Sequence, residues 1–102
     1  MQITEIITKA KMNRGYPRLW CEHKALMAHD WIRNTRYDRS FINNNYVLRK
    51  SDNGKFKVSG KGSDKAIIDI TGKHLDSSFN PENNKLNKWI ISNDTIIIQA
   101  TN

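Results

Sequence analysis

The sequence predicts an α+β, mainly β domain in which one unit of strand, short helix and hairpin is written twice. Three observations lead there. Short β-branched runs recur along the chain, as in Ile3 to Thr8, Lys65 to Ile70 and Thr95 to Gln99. Strong helix formers gather only in brief stretches such as Lys24-Ala25-Leu26-Met27-Ala28. A shift of 49 positions carries Lys24-Ala25-Leu26 onto Lys73-His74-Leu75, and Asn44-Asn45-Tyr46-Val47-Leu48 onto Asn93-Asp94-Thr95-Ile96-Ile97.

At 102 residues the chain suffices for one modest domain, 1–102, and not for two independent cores. The two copies must therefore share a core. Repeat one spans about 14–50, a connector about 51–63, and repeat two about 64–99. Three of the five glycines fall in the connector, where Lys55-Phe56-Lys57-Val58 alternates as a further short strand would.

The elements follow in order. Ile3 to Thr8 reads as a strand and Lys9 to Gly15 as a basic loop. Behind Pro17, Arg18 to Cys21 is a strand that runs into a helix from His23 to His29. Arg36 to Ile42 and Tyr46 to Lys50 form a hairpin closed by Asn43-Asn44-Asn45, since asparagine tolerates positive φ. In the second unit Lys65 to Ile70 is a strand, and Thr71 caps a helix running to about Ser78. After a loop over 80–84, Leu86 to Ile91 and Thr95 to Gln99 make the last hairpin. A lone hairpin of this size is marginal in water, so the two units are expected to close one barrel-like sheet around Leu19, Val47, Leu48, Ile68, Ile70, Ile90, Ile96 and Ile98. The first helix would plug that barrel.

The run YPRLW…KALM…NTRYD…YVLR…KVSGKG…IIDI, within about 14–99, resembles the AbrB/SpoVT swapped-hairpin family and its SymE-like branch. The resemblance implies a single-chain swapped-hairpin barrel built from two repeats. Members of that family are mostly DNA-binding transcription regulators or antitoxins, and SymE-like proteins are associated with toxins and nucleic acid. Where such proteins favour glycine after the helix, this chain has Asp30, Arg33 and Asn34. Asparagine can supply the left-handed conformation there.

Composition points the same way. Seventeen Lys and Arg against ten Asp and Glu give +7 and a pI near 9.8, which makes a polyanion the leading partner. One cysteine, Cys21, excludes an internal disulfide and a cysteine-based zinc cluster, and fits a reducing compartment. The amino terminus lacks the apolar core of a signal peptide, and the longest apolar run, Ile96 to Ile98, is far short of a membrane span. A cytoplasmic protein, encoded by a bacterium or a mobile element such as a phage, is expected.

No catalytic constellation, metal site or cofactor motif is legible. His23 and His29 lie six apart with His74 remote, which matches no zinc-ligand spacing. Cys21 beside Glu22-His23 makes no catalytic pair, because that requires a base within hydrogen-bond reach and a third group to orient it, and consecutive side chains along a strand point to opposite faces; Cys21 reads as a small buried hydrophobe. Ser59-Gly60-Lys61-Gly62-Ser63 lacks Walker A spacing and reads as a basic loop able to touch a phosphate backbone.

The candidate nucleic-acid-binding residues are Lys9, Lys11, Arg14, Arg18, Arg33, Arg36, Tyr37, Arg39, Arg49, Lys50 and Lys61. All six arginines lie in the first fifty residues, so an asymmetric site is expected. Tyr16, Trp20 and Tyr37 sit among these charges as possible stacking platforms; Tyr37, between Arg36 and Arg39, is the expected exposed one, whereas the tryptophans are expected in the core. The leading expectation is a non-catalytic DNA-binding regulator, monomeric or homodimeric. The alternatives are an inhibitor that grips a host protein or a nucleic-acid-handling defence complex, and a SymE-like toxin acting on RNA.

Overall fold

The computed structural model describes residues 2–61, 65–82 and 84–101. Strand β1 spans Thr4–Lys9, β2 Lys11–Asn13 and β3 Tyr16–Cys21, and helix α1 spans Lys24–Ala28. Strands β4 (Arg36–Ile42), β5 (Asn45–Lys50), β6 (Phe56–Lys57) and β7 (Ile68–Thr71) follow. A 3-10 turn at Lys73–Leu75 leads into α2 (Asp76–Phe79), and the chain ends in β8 (Leu86–Ile91) and β9 (Thr95–Thr101). Strand, short helix and hairpin thus succeed one another over 16–50 and again over 68–101.

Local chemistry accounts for the corners. Asn43 and Asn44 both take positive φ (50° and 67°), giving the two-residue turn whose twist suits the β4–β5 hairpin. Arg14 (φ 53°) and Gly15 (φ 85°) do the same between β2 and β3, so the expected loop over Lys9 to Gly15 is instead largely a strand and a tight turn. Helix α1 starts where His23 Nδ1 accepts the Ala25 N–H at 3.0 Å. It stops at Asp30, whose φ of 61° turns the chain while the Trp31 N–H reaches back to the Leu26 carbonyl at 2.8 Å and the Asp30 N–H to that of Met27 at 3.0 Å. That is a Schellman closure with aspartate where glycine is usual. Thr71 is not a helix cap; it is the last residue of β7.

All strand pairs are antiparallel. Six strands form one sheet in the order β1-β8-β9-β5-β4-β6, and three form a second in the order β2-β3-β7. Period-two alternation sends Ile6, Trp89, Ile98, Tyr46 and Phe41 to the inner face as one row across five strands. Ile91, Ile96 and Leu48 form the next row. Leu19, Cys21, Ile68 and Ile70 line the inner face of the small sheet, and α1 and the 3-10/α2 segment add Ala25, Leu26, Leu75 and Phe79 to the same core.

Two expectations about packing are corrected. The barrel does not close: β1 ends at Lys9, Ala10 donates its N–H to the Lys85 carbonyl, and the chain then leaves for the other sheet, so the sheets remain separate and β1 is an edge. Val47 and Ile90 fall on the outer face, since each alternates with the inward residues of its strand, although Val47 is itself buried; Trp31, Tyr37, Tyr46, Phe79 and Trp89 join the inner core. Gly54 is required by a close approach, because a Cβ there would lie 2.6 Å from the backbone of Tyr37.

Leu48 is fully buried on β5 and opposes Ile96 across the β5–β9 junction. Leu48→Ala is expected to cost about 2–5 kcal/mol by urea denaturation, a large share of a stability of about 5–15 kcal/mol. Arg49→Ala, one residue on but facing solvent, is expected to change it by no more than about 0.5 kcal/mol.

Candidate nucleic-acid interface

Strand β3 alternates. Pro17, Leu19 and Cys21 point inward, and Tyr16, Arg18 and Trp20 point outward. Directly opposed residues share a face, so Lys11 of β2 and Thr71 of β7 flank Arg18, and Asp69 of β7 lies beside Trp20. The outer face of the small sheet is thereby a half-exposed indole surrounded by charge. The Lys11 ammonium lies 5.5 Å from the centre of the Trp20 ring and the Arg18 guanidinium 5.9 Å, both within cation–π range.

Arg18 is also fixed by Asp69, which accepts from Nε and from Nη2 at 2.9 Å each. This fork holds the guanidinium charged, and Nη1 takes no part in it. Beside it opens a groove of about 490 Å³ lined by Lys11, Arg18, Trp20, Glu22, Lys61 and Asp69, among others. A second groove, of about 480 Å³, borders Trp20 on its other side and brings in Lys9 and His23. Four of the candidate residues, Lys9, Lys11, Arg18 and Lys61, are thus assembled around one aromatic ring. Of the Ser59-to-Ser63 loop, Gly62 and Ser63 lie outside the described residues.

The other candidates are not brought to this surface as a group. Tyr37 is 1% exposed, packed edge-on against Trp31 with ring centres 5.9 Å apart, so the expectation that it stacks on bases is corrected. Its strand position faces inward, opposite Lys50. Arg39 also faces inward, with its guanidinium 3.6 Å from the centre of the Phe56 ring. Lys50 lies 5.2 Å from the Trp31 ring and donates to the His29 carbonyl at 3.1 Å; desolvation lowers its pKa despite nearby Asp30 and Asp94. Arg36 donates to the Gly54 carbonyl at 3.0 Å, and with Arg49 it belongs to the outer face of the large sheet. Arg14 is exposed at the β2–β3 turn, and Arg33 is exposed in the loop after α1.

Trp20 is the residue that composition alone places wrongly. The signal that finds it is strand parity: once Leu19 and Cys21 are assigned to the core, Trp20 must share a face with Arg18.

Cys21 is 1% exposed, and burial raises its pKa to about 12 although the His23 backbone N–H stabilises the thiolate. A thiol so held is a poor nucleophile. His29 is buried between the Thr4 hydroxyl and the Asn93 side-chain oxygen, each 2.8 Å away, and so ties α1 to the β1 and β8–β9 ends. Among the described residues no group of three or more His, Cys, Asp or Glu gathers in a way that could hold a metal ion. Nor, among the described residues, is any helix long and apolar enough to cross a membrane.

No family model, curated protein or solved structure matches the chain.

Two measurements follow from these environments. The native Cys21 thiol stays protonated up to about pH 12, whereas an unfolded one ionises near 9. The folded state therefore binds more protons between those values, and stability, undiminished by this group below about pH 9, is lost as pH rises towards 12, at up to about 1.4 kcal/mol per pH unit. Cys21→Ala is expected to flatten that slope in denaturation curves recorded from about pH 9 upward. Arg39→Ala, which strips the cation from Phe56, is expected to lower the urea midpoint by about 0.5–2 kcal/mol in free-energy terms while leaving polyanion binding unchanged.

Proposed function

We propose that the protein is a non-catalytic DNA-binding regulator that meets the nucleic acid with the outer face of the β2-β3-β7 sheet. The observation that carries this reading is the bracketing of half-exposed Trp20 by Lys11 and Arg18 on one sheet face, with Lys9 and Lys61 in the adjoining grooves. Lysines neutralise phosphates as point charges, Arg18 offers its remaining guanidinium donors, and the indole gives a sugar or an unpaired base a flat apolar surface. The net charge of +7 supports the same partner by drawing a polyanion to the whole molecule. The resemblance to swapped-hairpin regulators supports it as well, through the strand, helix and hairpin order that occurs over 16–50 and 68–101.

Fluorescence anisotropy with labelled duplex DNA, single-stranded DNA and RNA of one sequence tests the reading. Binding to DNA is expected, with the logarithm of affinity falling against the logarithm of salt at a slope of roughly −3 for three to four neutralised phosphates. Lys11→Ala and Lys61→Ala are each expected to reduce that slope by about one. Trp20→Ala is expected to weaken single-strand binding by about 1–3 kcal/mol if a base stacks there, and to leave the salt slope alone. Salt-independent binding, or sensitivity to Arg36→Ala and Arg49→Ala in place of Lys11→Ala, would sink the proposal. A strong preference for RNA through the same residues would shift it to the SymE-like reading.

A further inference from the structure

The incomplete closure of the sheets leaves two strand edges facing one groove, and hydrogen-bond parity says which backbone groups they present. In the β1–β8 ladder the Ala10 N–H reaches the Lys85 carbonyl at 2.9 Å. The bonded pairs are therefore Thr8 with Asn87, Ile6 with Trp89 and Thr4 with Ile91, because bonded and non-bonded pairs alternate. The N–H and C=O groups of Glu5, Ile7 and Lys9 point away from β8, to the open side.

The same logic applies to β3. The Gly72 N–H points to the Pro17 carbonyl at 3.4 Å, which makes Leu19–Ile70 and Cys21–Ile68 the bonded pairs with β7. The backbone of Trp20 is directed to the opposite edge, beyond the point where β2 has ended with Lys11 opposite Arg18. Between these edges lies the groove of about 480 Å³, with Ile6, Ile7, Thr8 and Lys9 on one wall and Trp20, Cys21, Glu22 and His23 on the other, so that its two lysines outnumber its one carboxylate. Lys11 also lines it. Its lining is mainly apolar, and Ile7 stands 54% exposed at the rim.

We propose that this groove receives an extended, acidic segment of a partner protein, which adds as a strand to the β1 edge. Unpaired ladder groups on an edge strand are a template for such addition, and alternate side chains of the incoming strand select the partner. Its carboxylates lie on the face that Ile7 and Lys9 share and meet Lys9 and Lys11, while its apolar side chains, on the opposite face, enter against Ile6. A second copy of this chain fits less well, because two molecules of +7 repel each other and the groove itself carries both lysines. The groove shares Lys9, Lys11 and Trp20 with the proposed DNA-binding face, but the inference does not rest on that reading: it concerns the backbone edge of β1, and none of its readouts involves nucleic acid.

The probe is an end-blocked peptide of about ten residues that alternates Glu and Val, compared with one alternating Lys and Val. The acidic peptide is expected to bind in calorimetry and to slow amide hydrogen exchange at Ile7 and Lys9 on β1 and at Trp20 on β3. The lysine peptide is expected to bind at least about tenfold more weakly. Ile7→Pro removes a donor that takes no part in the β1–β8 ladder, a placement that edge strands tolerate, and is expected to weaken the acidic peptide by about tenfold or more with the fold retained. Should circular dichroism find Ile7→Pro unfolded, the exposed Lys9→Glu variant replaces it, and it is expected to narrow or reverse the preference between the two peptides. No binding at about 1 mM, equal affinity for both peptides, protection confined to the β4–β6 side, or unchanged binding by folded Ile7→Pro would each overturn the proposal.

Discussion

Everything in this molecule depends on the pairing of β5 with β9. Neither hairpin can bury its apolar face alone, and the junction Asn45–Arg49 against Thr95–Gln99 fuses them into one continuous sheet. Leu48 opposes Ile96 and Tyr46 opposes Ile98 at that seam, all of them 5% exposed or less. Burial of such side chains contributes about 1.5–3 kcal/mol apiece. The antiparallel pairing of β3 with β7 repeats the arrangement in the second sheet, so two strands from each half of the chain cross-brace one core. A chain of this length has no other way to give both halves a hydrophobic interior.

The aromatic and cationic residues divide according to which side of that core they fall on. Trp31, Trp89 and Tyr37 are buried, and the two indole N–H groups find partners at the Ser92 carbonyl (2.8 Å) and the Thr8 hydroxyl (2.9 Å). Arg39 and Lys50, on inward-facing positions of β4 and β5, extend over aromatic rings, where their stems cover apolar surface. Only on the small sheet does a tryptophan lie outward among cations. The basic surplus is thus divided between structural braces and a compact surface cluster around Trp20.

The open edge of β1 has the same origin as the site. A chain that must supply strands to two sheets has to leave the first, and it does so at Ala10, between Lys9 and Lys11. The departure carries β2 and β3 away from β1 and opens the groove between them, with a lysine on either side of the bend. Charge at the edge also protects it, since Glu5, in an ion pair with Lys88 at 3.3 Å, and Lys9 hinder indiscriminate strand pairing.

Most elements were legible locally. β-Branched runs, the helix-forming KALMA segment and the Asn43-Asn44 turn specify short-range geometry through propensity and positive φ, and the corresponding strands, helix and hairpin fall within a few residues of expectation. The β2 strand was hidden because Lys-Met-Asn has no strand propensity of its own; pairing with β3 makes it. By itself the sequence determined a mainly β domain, the two hairpins, the buried thiol and the basic excess, because propensity, alternation and charge are properties of neighbouring residues. Tertiary structure alone decided that the barrel stays open, that Tyr37 goes inside while Trp20 stays outside, and which lysines and arginines meet. Those outcomes rest on pairings between residues far apart in the chain, such as Thr4 with Ile91, and on the face each pairing assigns, which local sequence does not carry.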